Sequence, residues 1–159
     1  MAGKTSWDLS KFQVEDVFRM AVAVEQGGID LYDRIIEASD KAQIRNELKY
    51  LREEEVRHKD FFLRQLPGGT NAEQAPLGSE LGELLEAEFL VPMEELYSGG
   101  KIRNSSQALR FGVLLEQRTV ELYTALRQQR HDPEFQKNLD LVIAEERRHK
   151  EKLNLLLAY

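Results

Sequence analysis

One segment of this chain occurs twice. The run Glu54-Glu55-Val56-Arg57-His58-Lys59 returns as Glu145-Glu146-Arg147-Arg148-His149-Lys150, 91 residues later (145 − 54). Upstream, Glu25-Gln26 with Leu31-Tyr32 returns as Glu116-Gln117 with Leu122-Tyr123 at the same offset (116 − 25, 123 − 32). Two copies of one pattern fold in one way, so the chain reads as a tandem duplication of a helix pair. In each copy a Glu-x-x-His puts a carboxylate and an imidazole one turn apart on the same helical face.

Four apolar stripes at 3-4 spacing define the helices. The first helix is predicted over Val14–Ala38, opened by Ser10-Lys11-Phe12-Gln13 as a capping box, with Phe18, Ala21, Glu25, Gly28, Tyr32 and Ile35 facing inward. The second is capped by Ser39-Asp40 and turns Ile44, Leu48, Leu51, Glu55, His58 and Phe62 inward, stopping before Pro67-Gly68-Gly69. Asn104-Ser105-Ser106 caps the third, whose stripe is Leu109, Gly112, Glu116, Thr119, Tyr123 and Leu126. Asp132-Pro133 opens the fourth as a cap followed by proline at the first helical position; its stripe is Phe135, Leu139, Val142, Glu146, His149 and Leu153. Glu53, Glu54, Arg57 and Lys59 fall beside the second stripe and read as a solvated face with pairing along the helix. Gly27-Gly28 inside a helix costs about 1 kcal/mol per glycine relative to alanine. Either close helix packing or room beside Glu25 for an ion, a water or a small oxidant accounts for it.

Residues 67–104 form a long connection holding Pro67, Pro76 and Pro92, within which Ser79 to Leu90 has the pattern of a short amphipathic helix (Leu81, Leu84, Leu85, Phe89). That helix lies against the bundle or a partner chain. A helix of about 25 residues is roughly 38 Å long, and a connection of this size can return the chain to the far end. The expected architecture is therefore all-α: one domain over residues 1–159, made of a helix pair at 14–66, a crossover at 67–104 and a second pair at 105–158. It forms a four-helix bundle with internal pseudo-two-fold symmetry.

Composition narrows the chemistry. The net charge of −6 disfavours nucleic acid, which wants a basic face. With no cysteine there is no disulfide, thiolate metal site or cysteine nucleophile. Residues 1–12 lack the basic start and apolar run of a signal peptide, and no stretch approaches ~18 uninterrupted apolar residues. A soluble cytoplasmic protein is expected.

Each stripe carries a glutamate near mid-length, so four carboxylates should meet at one level of the bundle. An isolated buried charge costs several kcal/mol even after relaxation. Two divalent cations supply +4 against the formal −4, with two glutamates bridging and the histidines as neutral end ligands. The expected metal ligands are Glu25, Glu55, His58, Glu116, Glu146 and His149. Carboxylate with imidazole suits iron or manganese, and zinc also fits. One Glu-x-x-His alone carries no such message; two, each with an inward glutamate 30 residues upstream (55 − 25, 146 − 116), do. Tyr32 and Tyr123 lie two turns from Glu25 and Glu116. They are either ordinary core tyrosines or, with the first and third helices antiparallel, candidate catalytic residues reaching the other half's glutamate. His131 sits in a turn and reads as a surface residue.

The pattern Glu25, Glu55-x-x-His58, Glu116, Glu146-x-x-His149 resembles the ferritin-like di-iron carboxylate superfamily, and within it the rubrerythrin-like group, over nearly the whole chain. The resemblance implies that these six residues bind two iron ions. The Cys-rich rubredoxin domain of rubrerythrins is absent, which implies an external electron-transfer protein as reductant. Thr119 stands where rubrerythrins tend to carry an extra carboxylate, and Val56 where bacterioferritins place a haem-binding methionine. The implied activity is that of a non-haem di-iron oxidoreductase reducing peroxide or dioxygen. The alternatives are a ferroxidase or iron-handling protein, or a structural metal-binding bundle. A homodimer is expected.

Overall fold

The computed structural model of the chain describes residues 8–69, 79–90 and 105–158, and every regular element among them is helical. Helix α1 spans Val14–Ala38, α2 Ala42–Leu63, α3 Ser79–Leu85, α4 Ser105–Gln129 and α5 Pro133–Leu156; α3 runs directly into a π-helical turn, Glu86–Leu90. All twenty-four residues of the four predicted stripes are buried. The apolar ones form one core with Leu9, Met20, Leu31, Leu81, Phe89 and Leu156. Burying a leucine- or phenylalanine-sized side chain stabilises by about 1.5–3 kcal/mol each, which is what holds so many helical residues around a polar centre.

Packing follows chain order. α1 lies along α2 and α4 along α5, while α1 meets α4 and α2 meets α5 more sparingly. The short α1–α2 and α4–α5 links make each pair an antiparallel hairpin. The amphipathic helix of the connection lies on the bundle itself: α3 and its π-helical turn pack on α1, burying Leu81, Leu85 and Phe89. The remainder of the connection, at 70–78 and 91–104, lies outside the described residues, and so does Asn104. At one end of the bundle, Phe18 and Phe61 pack on Phe135 with ring centroids 5.4 and 5.6 Å away, and the Arg130 guanidinium covers Phe18 and Phe135.

Helix starts divide into one that follows the sequence signals and two that do not. Asp132 caps α5 as expected, accepting from the Glu134 N–H at 3.1 Å with Pro133 at the first position. The Ser10 capping box does not form, because the Phe12 N–H bonds the Leu9 carbonyl (3.1 Å) and this turn ends before the helix begins. Gln13 is the N-cap, without a side-chain bond, and the Ser10 hydroxyl turns back to Asp8 at 2.6 Å. Nor do Ser39 and Asp40 cap α2. Ser39 closes α1, its N–H reaching the Ile35 and Ile36 carbonyls, which moves the N-cap to Lys41. No helix among the described residues is long and apolar enough to cross a membrane.

Candidate metal centre

The repeat that marks the sequence converges at mid-bundle. α1 contributes Glu25 and Tyr32, α2 Glu55 and His58, α4 Glu116 and Tyr123, and α5 Glu146 and His149, and all eight are buried. Ligand atoms of Glu25, Glu55, His58 and Glu146 lie within 4.8 Å of one another, as do those of Glu55, Glu116, Glu146 and His149. Two groups thus share Glu55 and Glu146, with a Glu and a His left to each side. His131 lies apart, exposed between α4 and α5.

Unmet hydrogen-bonding capacity points into this centre. Glu25 Oε1, Glu55 Oε1, Glu116 Oε2, Glu146 Oε2 and His149 Nδ1 are buried without a hydrogen-bond partner. His149 Nδ1 stands 2.7 Å from Glu55 Oε1, yet neither atom is satisfied, so this close approach is not aligned for a hydrogen bond. Across the centre, His58 Nδ1 is 2.5 Å from Glu146 Oε1. The two imidazoles stack with centroids 5.7 Å apart and planes 18° from parallel. Orphaned lone pairs converging from four helices fit cations, which use them without needing aligned protons. All-oxygen-and-imidazole donors fit iron, manganese or zinc.

The outer face of each imidazole is held by the opposite half. His58 Nε2 faces Glu145 Oε1 at 3.4 Å, and His149 Nε2 faces Glu54 Oε1 at 3.1 Å. This overturns the solvated reading of Glu54, which is only 4 % exposed. Arg57 and Arg148 bind the same two carboxylates from outside, Arg57 to Glu54 at 2.9 Å and Arg148 to Glu145 at 3.4 Å. A carboxylate on the outer nitrogen fixes ring orientation and tautomer for whatever the inner nitrogen binds. The repeat held the signal: it preserves Glu54/Glu145 and Arg57/Arg148 as faithfully as the inward residues, and a merely solvated face has no reason to.

Both tyrosines cross to the other half. Tyr32 donates to Glu116 Oε1 at 2.7 Å, and Tyr123 donates to Glu25 Oε2. Outside them, Lys59 donates to Gln26 and Lys150 to Gln117, each at 2.6 Å, tying α1 to α2 and α4 to α5 beside the centre.

Protonation follows from burial and crowding. Burial pushes Glu55 well above the ordinary carboxylate range, and the charges of Glu25 and Glu116 add to it. Glu146 is raised in the same way, by burial and then by Glu116, Glu25 and Glu55. For Glu25 burial acts upward too, but the hydrogen bond and charge of His58 outweigh it and hold the group low. His58 is raised: the pull of Glu25 and Glu145 exceeds the downward effect of burial. Glu145, despite partial burial, is held at about 2 by Glu54, His58 and Arg57. Burial and neighbouring carboxylates lift both tyrosines far up, so their phenols keep their protons and act as donors.

No family model, curated protein or solved structure matches the chain.

Proposed function

We propose that this chain is a non-haem di-iron oxidoreductase of the ferritin-like, rubrerythrin-like kind, reducing peroxide with electrons from an external donor protein. The observation that carries the reading is the pair of overlapping donor groups sharing Glu55 and Glu146. Glu25 and His58 would complete one site, and Glu116 and His149 the other. In the same reading the fold is two copies of one helix pair joined by a crossover at 67–104. Its support is that contacts come in pairs 91 residues apart: Tyr32–Glu116 with Tyr123–Glu25, His149–Glu54 with His58–Glu145, Lys59–Gln26 with Lys150–Gln117.

Glu25, Glu55, His58, Glu116, Glu146 and His149 would hold two ferrous ions, which would supply the two electrons that, with two protons, take hydrogen peroxide to two waters, the external donor making up the electrons. The protein's part is positional and electrostatic. Four carboxylates offset the cation charge, and Glu54 and Glu145 aim the imidazoles inward. Tyr32 and Tyr123 hold one oxygen each of Glu116 and Glu25, leaving the other free to bind, and keep their hydroxyl protons at neutral pH. The apolar stripes above and below exclude bulk water from the centre, which strengthens every charge interaction inside.

The test is metal content of protein from iron-supplemented cells, with its optical spectrum before and after peroxide. Two irons per chain, oxidised stoichiometrically by peroxide and much faster than by dioxygen, support the reading. Turnover that deposits mineral in a large assembly would make the chain a ferroxidase instead. Bound metal with no redox change would leave a structural bundle.

A further inference from the structure

Gly28 lies on the inward stripe of α1, one turn after Glu25. A Cβ at this position would come within 2.6 Å of Glu55 Oε2 and 3.4 Å of Glu55 Cδ, and, its chain neighbours and the α1 backbone aside, the three nearest atoms all belong to Glu55. The space left by the missing side chain is therefore neither an apolar contact nor an opening for an oxidant; it is the seat of the Glu55 carboxylate. Gly112 shows what a packing glycine looks like in this bundle, its nearest neighbours being Leu153 and Leu31. Glu55 Oε1, the oxygen turned away from Gly28, has no hydrogen-bond partner and lies 2.7 Å from His149 Nδ1. The repeat offset makes Thr119 the counterpart of Gly28 (28 + 91). Thr119 is buried, its hydroxyl bonded to the Leu115 carbonyl at 2.9 Å, so α4 presents a side chain where α1 presents none.

Resting on the dinuclear reading above, we propose that Gly28 is a positioning residue that seats the shared carboxylate of Glu55 against the α1 backbone, making the two metal positions unequal. Oε1 faces both imidazoles, 2.7 Å from His149 Nδ1 and 3.8 Å from His58 Nδ1, while Oε2 is the oxygen that lies against Gly28. Its placement depends on Gly28. The counterpart of Gly28 is Thr119 rather than a glycine, so the two bridging carboxylates differ in freedom although the ligand types repeat. Glu55 already stands farther from His58 than from His149, so the position held by Glu25 and His58 is the one that fails when a side chain at Gly28 displaces the carboxylate.

The experiment is Co(II) binding to chelator-treated full-length protein, by calorimetry and by metal analysis after desalting, for wild type, Gly28→Ala and Thr119→Ala. Only the end of a flexible side chain opposes the added methyl, and alanine is the better helix former, so Gly28→Ala is expected to fold with an unchanged metal-free Tm. It should bind one Co(II) as wild type does and the second at least ten-fold more weakly, while Thr119→Ala keeps two. In the Glu55→Asp background, where the carboxylate is one methylene shorter, adding Gly28→Ala should change affinity less than two-fold; this pair also serves if Gly28→Ala alone fails to fold. In metal-free protein, Gly28→Ala should shift the Glu55 side-chain carboxyl carbon signal and leave that of Glu146 in place. Two ions bound by Gly28→Ala within two-fold of wild type, an equal loss in Thr119→Ala, or an unmoved Glu55 signal would overturn the proposal. Wild type binding fewer than two ions sinks the dinuclear reading, whereas the metal-free signal still reports whether Gly28 seats Glu55.

Discussion

Replacing Glu55 by glutamine should stabilise the metal-free protein and weaken the metal-loaded one. Ligand atoms of Glu55 and Glu25 lie within 4.8 Å, as do those of Glu55, Glu116 and Glu146. At that separation and an effective dielectric near 20, each ionised pair repels by about 3–4 kcal/mol. The charges of Glu25 and Glu116 would together oppose Glu55 ionisation by about 7 kcal/mol, and burial, the larger cause, drives Glu55 the same way, toward its protonated form. Glutamine has the same shape and no charge to suppress, and its amide can donate to the orphaned oxygens of Glu25 or Glu116. The gain should be about 1–3 kcal/mol, or roughly 2–12 °C in Tm for a chain of this size. With metal the sign reverses. Two ions, each at a thousand times its Kd, stabilise by about 8 kcal/mol, and a neutral amide in place of the carboxylate they share should remove more than half of that. Thermal unfolding of both proteins at pH 7.5, in chelator and in excess Mn(II), measures all four states. The order of Tm values should invert between the two conditions. A lower Tm for Glu55→Gln in chelator would refute the electrostatic argument outright.

Metal-free protein should lose stability as pH rises above about 4.5. Glu55, Glu146 and His58 have folded-state pKa values above their ordinary 4.5, 4.5 and 6.5, so the stability each contributes is present below those values and fades as pH climbs through the folded ones. Glu25 and Glu145 work in the opposite sense, but their window lies below 4.5, reaching to about 2 for Glu145; a chelator-treated Tm that rises steadily from pH 5 to 8 would contradict this. Metal binding should accordingly release protons, read as a dependence of calorimetric heat on the buffer's ionisation enthalpy. Tyr32→Phe leaves Glu116 Oε1 buried without its donor and should cost about 1–3 kcal/mol, with Tyr123→Phe costing a similar amount through Glu25; urea midpoints that do not move would make both ordinary core tyrosines. Glu54→Ala frees the outer nitrogen of His149 and should weaken Co(II) binding by roughly ten- to a hundred-fold, whereas Glu53→Ala, on the exposed side of the same helix, should leave it unchanged.

The inward stripes were legible because burial is periodic: a residue every three or four positions must face the core, whether it is Leu48 or Glu55. Glu25, Glu55, Glu116 and Glu146 were conspicuous as charges on positions that ask for an apolar group. Glu54 was not, because it stands one residue off the stripe, about 100° around the helix. Its burial comes from α5 laying His149 and Arg148 over it, a contact between halves that no local pattern encodes. Helix starts failed for a local reason of a different kind. Ser10 and Ser39 each had a competing backbone or side-chain partner, a turn with Asp8 in one case and the closing of α1 in the other. The seat of Glu55 on Gly28 was hidden as well, since a glycine announces missing volume without saying which neighbour fills it.

Why the bundle tolerates such a centre follows from where the strain is placed. The carboxylates sit at one level, and on α2 and α5 the stripe residues that flank them are apolar or aromatic: Leu51 and Phe62 on α2, Val142 and Leu153 on α5. Folding can therefore be driven by the layers on either side while the middle layer stays under-satisfied. The polar contacts that do form there are nearly all between halves, Tyr32 to Glu116, Tyr123 to Glu25, His58 to Glu146 and His149 to Glu54. Each half thus supplies the other's donors, and neither hairpin alone could bury its own Glu and Glu-x-x-His. Were stability the only demand, the least strained sequence would replace these residues by leucine or alanine, as neighbouring layers do. Keeping four glutamates and two histidines in a layer that leaves five of their atoms unpartnered is the cost that the proposed metal pair would offset.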